Sequence, residues 1–186
     1  MLKMANAVKI LSMNCRGLNG RQKRRDVMHY MRSKNASIIC LQDVHFEQKM
    51  EMMVKAEWGG DAIFSSLVSN SRGVAILLNN KLDYNIHSTK VDKNGNWVVL
   101  DISINDVRVS LVSIYGPNED NPDFYNNIKS EIEEINNAHC ILCGDWNVVQ
   151  DPDLDTSNYI RLNNPKASLK VLEMQKGNGT KRSMEA

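Results

Sequence analysis

The chain has 186 residues, 42% hydrophobic and 24% charged, the make-up of one globular domain. Lysine plus arginine (23) nearly cancels aspartate plus glutamate (22), so bulk charge neither announces nor excludes a nucleic-acid partner. No apolar run approaches the roughly 20 residues of a membrane span, and MLKMANAVKI lacks the apolar core of a secretory signal. The expectation is an intracellular protein, nuclear or cytoplasmic, not secreted and with no membrane partner.

In chain order, residues 8–14 (VKILSMN) predict a strand that ends at the turn-prone RGLNG. Val27, Met28, Tyr30 and Met31 recur at helical spacing in 21–34, and 36–42 (ASIICLQ) reads as a second strand before Asp43. Strand, helix, strand implies a parallel pair joined by a right-handed crossover. A Met-rich helix is expected over 47–57. The β-rich runs at 61–66, 73–78, 83–91, 96–104 and 107–115 read as one antiparallel meander. Phe124, Ile128, Ile132 and Ile135 share a helical face in 121–136, and 138–144 (AHCILCG) is another apolar strand. Asn164 and Pro165 form an N-cap and first helical position, with Leu169 and Leu172 as that helix's buried side and Gly177 as its stop. The tail KGNGTKRSMEA has almost nothing to bury, so residues 1–175 are taken as the domain and 176–186 as a disordered tail.

Four cysteines in such a chain read as free thiols. Cys140 and Cys143 form a C-x-x-C, but Cys15 and Cys40 stand alone, so HCILC is read as a buried strand rather than a zinc or redox site. The basic run RQKRR (21–25) is read as a solvated helix face, with Arg21 retained as a candidate DNA contact.

A coarse pseudo-repeat organises the candidate site. In 8–43 a strand ends at Asn14 and the next at Asp43; in 107–145 a strand ends at Tyr115 and the next at Asp145. Parallel strands bring such ends to one rim, where α/β proteins place ligands, so Asn14, Asp43, Tyr115, Asp145 and Asn147 are expected to converge. Each alone has a plain reading, an Asx turn for the aspartates or core packing for the tyrosine. Two carboxylates on one rim suit a hard cation such as Mg2+.

The ordered set MNCRG, LQDVHF, SRGVAILL, YGPN and GDWN resembles the endonuclease domain of non-LTR (LINE-type) retrotransposons, within the endonuclease/exonuclease/phosphatase superfamily of AP endonucleases and DNase I. The likeness runs from about Val8 to Met174; GDWN is shared across the superfamily, whereas MNCRGLNG with LQDVH and SRGVAIL is specific to the retrotransposon branch. It implies a four-layered α/β sandwich, two mixed sheets face to face with helices outside, and Mg2+- or Mn2+-dependent hydrolysis of a DNA phosphodiester. By resemblance, Asp43 is the metal carboxylate, with Asn14 beside it. Tyr115 steadies the scissile phosphate, Asp145 orients or deprotonates water, and Asn147 bonds the phosphate region. Asn118 and His45 support the site or the DNA contact. The implied partners are DNA and a reverse transcriptase domain in the same full-length polypeptide, and a monomer is expected.

Two departures from the family pattern are visible. Most relatives carry Glu where this chain has Asp43, and no Ser-Asp-His segment follows GDWN, so the domain reads as lacking its last strands. The alternative is therefore an inactive retroelement fragment with at most weak nucleic-acid binding. A lipid or inositol phosphodiesterase is disfavoured by MNCRGLNG and LQDVH.

Overall fold

The computed structural model describes residues 7–67, 71–151 and 164–177. Strands β1 (Ile10–Asn14) and β2 (Ile38–Gln42) run parallel, because α1 (Arg21–Ser33) returns the chain to the starting edge between them. A 3-10 turn (Gln48–Met50) and α2 (Glu51–Trp58) follow, splitting the helix expected over 47–57. The strands β3 (Ala62–Ser65) and β4 (Val74–Leu78) then complete a sheet of order β1-β2-β4-β3, with β4 antiparallel to both neighbours. Next, β5 (Tyr84–Val91), β6 (Trp97–Ile104) and β7 (Val107–Tyr115) form an antiparallel meander, and α3 (Pro122–Ile135) crosses to β8 (Cys140–Asp145), parallel to β7. The single meander expected over 61–115 is thus divided between two sheets. β2 and β4 are buried at every residue, so no polar/apolar alternation marks which sheet they join.

Three apolar layers hold the sandwich. Ile38, Cys40, Ile76, Val98, Leu100 and Leu111 pack between the sheets. Ile39, Leu41 and Leu77 meet Met28, Met31 and Trp58 of α1 and α2 on one outer face. Val99, Val112 and Ile114 meet Tyr125, Ile128 and Ile132 of α3 on the other, together with Val171 and Met174 of α4 (Pro165–Gly177). Helix, sheet, sheet, helix is the expected four-layered α/β sandwich.

Several side chains depart from expectation. Tyr30 is half exposed, with the Lys34 ammonium over its ring, while Arg24 of the basic run is buried. Arg24 Nε and Nη2 donate to the two carboxylate oxygens of Glu57, and Nη1 donates to the Leu18 and Asn19 carbonyls, so its charge and donors are satisfied. Leu169 is 61% exposed; Ala167, Val171 and Met174 instead face α3 at i, i+4 and i+7. Asn164 has a left-handed φ of 60°, and Asp120 from the loop before α3 accepts the Lys166 and Ala167 amides at the start of α4. The 176–186 tail reading lies almost wholly outside the described residues.

The C-x-x-C cannot clamp one metal, since residues three apart on a strand face opposite sides. Cys140 packs toward α3 and Cys143 toward the inter-sheet layer, where its Sγ lies 3.6 Å from Cys40 Sγ. Burial pushes the Cys140 thiol up to about 11 and the Cys15 thiol up to about 12, which keeps both protonated and inert.

Asp101 of β6 is buried and accepts from Arg108 Nη2 (2.6 Å), Arg108 Nε (3.0 Å) and Asn137 Nδ2 (2.9 Å). Arg108 above all holds the carboxyl down to about 2. Because the folded-state value lies below the unfolded one, this stabilisation is present above the ordinary carboxylate range and is lost as pH falls toward 2. Asp101→Asn should destabilise the protein by about 2 kcal/mol at neutral pH, since it leaves Arg108 without its counter-ion. Urea unfolding should show that deficit shrinking as the pH falls toward about 2.

Candidate active site

Asn14 ends β1, Asp43 follows β2, Tyr115 ends β7 and Asp145 ends β8. All four strands deliver these residues to the same rim because both strand pairs are parallel. Tyr115 and Asp145 stand opposite each other in the register, and Asn14 Nδ2 donates to Asp145 Oδ2 at 2.6 Å from the other sheet. The two halves of the pseudo-repeat meet in that one bond.

Each side chain is aimed by its backbone. The loops beyond β1 and β2 continue as a ladder, with Gly17 N donating to Asp43 O and Leu18 N to Val44 O. This fixes Asp43 and His45 at φ 53° and 60°. Non-glycine residues seldom occupy that left-handed region, and where they do the strain often marks a functional site. Asn147 shares it at φ 50°; its amide N donates to Asp145 Oδ1 and its side chain Nδ2 to Gly116 O. Asp145 therefore accepts at both oxygens, which leaves its carboxylate little rotational freedom.

Asp43 Oδ1 lies 2.9 Å from His45 Nε2. Burial, then the charges of Asp43 and Asp145, push the Tyr115 phenol above its ordinary value, so it stays protonated at neutral pH and remains a donor. A cavity of about 300 Å3 opens between these groups, lined by Asp43, His45, Arg72, Asn96, Tyr115 and Asn118 among others. Arg21 does not line it; it opens α1 and borders a separate groove.

Sequence reasoning missed several members of this site. Arg72, also left-handed at φ 59°, enters the cavity with Nη1 3.4 Å from Asn96 Oδ1, while its carbonyl accepts from His45 N. The motif SRGVAIL carried Arg72, but nothing local distinguishes it from a turn arginine. Beneath the rim, buried Gln42 accepts from Ser12 Oγ and donates to Ser113 Oγ at 3.0 Å, a polar link between the sheets. Tyr125, wholly buried on α3, donates its hydroxyl to the Trp146 carbonyl and stacks on that indole, which clamps the GDWN turn from below.

Among the described residues no three His, Cys, Asp or Glu side chains gather as a metal cage. The rim offers hard oxygen donors in the Asp43 carboxylate and the Asn14 amide. That donor set fits a cation such as Mg2+, which is held by one or two carboxylates and completes its shell with water and substrate phosphate.

A family model described as Endonuclease/Exonuclease/phosphatase family matches residues 11–179. The Transposon TX1 uncharacterized 149 kDa protein of Xenopus laevis is 22% identical over 148 residues, which is 78% of this chain and 11% of that protein. Similar solved structures include an AP endonuclease from Archaeoglobus fulgidus (TM-score 0.68, 16% identity, 91% of this chain and 70% of that one). Another is the AP endonuclease LMAP from Leishmania major (TM-score 0.68, 15% identity, 92% of this chain and 66% of that one). At such identities the structures establish the shared fold, and with a family match over most of its length the chain belongs to the endonuclease/exonuclease/phosphatase family.

Proposed function

We propose that this domain is a Mg2+-dependent DNA endonuclease that nicks one strand, the endonuclease module of a non-LTR retroelement. The carrying observation is the Asn14–Asp145 bond, which joins two sheets at a rim that also holds Asp43 and Tyr115. The transposon relative supports the retroelement reading, and its far greater length accords with a polypeptide that continues into a reverse transcriptase.

Members of this family generally require a divalent metal. When bound, such an ion supplies a Lewis acid that polarises a phosphoryl oxygen; Asp43 and Asn14 are the residues that would hold it. The chain's own groups divide the remaining work. Asp145, fixed by Asn14 and Asn147, orients water and takes its proton. Tyr115 donates to a phosphate oxygen. Arg72, whose charge lies among Asp43, Tyr115 and Glu119, attracts the phosphate into a cavity otherwise rich in carboxylate.

The test is conversion of supercoiled plasmid to open circles with Mg2+. A well-folded protein that leaves the plasmid supercoiled would overturn the enzymatic reading and favour a non-catalytic fragment. Parallel assays on inositol and lipid phosphates separate DNA from other phosphodiester substrates. Arg72→Ala should weaken DNA cleavage by roughly 10- to 100-fold, the worth of a lost charge-assisted contact. The loss should fall mainly on KM, with Arg72→Lys recovering part of it.

A further inference from the structure

Helix α1 carries a basic face that the catalytic rim does not use. Arg21, Arg25, His29 and Arg32 are all exposed and follow one another at spacings of four, four and three residues, which puts them on one side of the helix. They border a groove of about 620 Å3 between α1 and α2, whose acidic members are Asp26 and Glu57.

Glu57 is committed first to a buried arginine, which leaves Asp26 as the main counter-charge to the exposed ones. Glu57 is engaged at both oxygens by buried Arg24, which above all lowers its pKa, with Arg21 and Arg25 adding smaller effects. Asp26 accepts from Gln22 at 2.8 Å. Arg32 is fixed in place, since its Nη2 donates to the Glu57 and Trp58 carbonyls at the end of α2 and its guanidinium lies 5.1 Å from the Trp58 ring centroid. The Arg21 and Arg25 side chains make no hydrogen bond or close ion pair with the described residues. The groove is thus lined by three guanidiniums against two carboxylates, one of which, Glu57, is already matched by buried Arg24.

We propose that this groove holds the phosphate backbone of duplex DNA beyond the cleavage rim. The placement follows from the topology: β1 ends at the rim with Asn14, α1 begins seven positions later at Arg21, and the helix then runs back toward the start of β2. The basic face therefore begins beside the site and leads away from it. From Arg21 to Arg32 it rises about 16 Å at 1.5 Å per residue. Phosphates of one strand rise about 3.4 Å each along the axis but also wind around the duplex, so a straight face of this length meets roughly two or three of them. The inference rests on the nuclease reading and adds a second, non-catalytic contact surface to it.

The experiment measures binding of a short labelled DNA duplex by the intact chain, across roughly 50 to 200 mM salt. Each phosphate contact contributes about 0.9 to the slope of log affinity against log salt, so Arg21→Gln/Arg25→Gln should flatten that slope by about 2. Lys81→Gln/Lys170→Gln, with charges removed elsewhere, should leave it unchanged. Circular dichroism should show the same melting for Arg21→Gln/Arg25→Gln as for wild type, because both arginines are exposed.

Equal slopes for wild type and Arg21→Gln/Arg25→Gln, in a protein that still nicks plasmid, would overturn the groove and spare the nuclease reading. A protein that neither nicks plasmid nor retains duplex at low salt would overturn both. A poly-glutamate peptide displaced by the same two substitutions as strongly as DNA would reassign the groove to an acidic protein partner.

Discussion

Asp145→Asn should lower plasmid nicking by about a thousandfold or more, close to 4 kcal/mol of barrier, while the fold survives. The substituted amide keeps the oxygen that accepts from Asn147 N but presents an NH2 where Asp145 Oδ2 now accepts from Asn14 Nδ2. Two donors would then face each other, so a modest stability loss of about 1 kcal/mol accompanies the activity loss. Asn14→Asp combined with Asp145→Asn restores a donor–acceptor pair with the roles exchanged. That double variant should recover the melting temperature and remain inactive, because the carboxylate now sits on the wrong strand. Single-turnover nicking and thermal melting separate the two effects. Recovery of activity in the double variant would mean that Asp145 serves only to hold the sheets together, and the base would have to be sought elsewhere.

Gly144→Ala should be the more damaging change to the fold. Gly144 precedes Asp145 on β8 at φ 142°, a conformation that L side chains rarely adopt, and a Cβ there would be driven into the Ile114 carbonyl of the neighbouring strand. Neither strand can retreat, because Ile114 and Gly144 are register partners in the pairing that also sets Tyr115 opposite Asp145. The expected cost is at least about 4 kcal/mol, equivalent to roughly 10 °C in melting temperature for a domain of this size. Gly20→Ala is the control, since an added methyl there meets nothing within 4 Å. Urea denaturation of the two variants side by side tests the difference. A wild-type midpoint for Gly144→Ala would mean that β8 is not held in this register.

The parallel strand pairs were legible because their signal is local: apolar runs, a helix of crossover length between them, and polar residues at each end. Convergence of Asn14, Asp43, Tyr115 and Asp145 follows from that topology, which is why strand order alone placed them. Arg72 and Asn96 were not legible, because they reach the cavity through backbone bonds linking Gly73 to Gly95 and Tyr115 to Asn96, contacts between segments far apart in sequence. The membership of β4 in the first sheet was hidden for another reason. Strands covered on both faces lose the period-two pattern that would tell one sheet from the other. In α4 the phase was misread by size: the leucines are larger, but close approach to α3 selects the small Ala167 and leaves Leu169 in solvent. Asn164 looked like a cap by type and position, yet Asp120, 44 residues earlier, takes the first free amides of the helix.

The bond between Asn14 and Asp145 spans 131 positions. Contacts of such sequence separation form only after the intervening loops have closed, late in folding and at an entropic cost that the rest of the sandwich must already have repaid. A chain with one sheet assembled therefore carries half of the rim residues and none of the rim. Any motion that slides one sheet on the other also disassembles the site before it unfolds either sheet, so chemistry at this rim reports on the docking of the two layers rather than on the integrity of either.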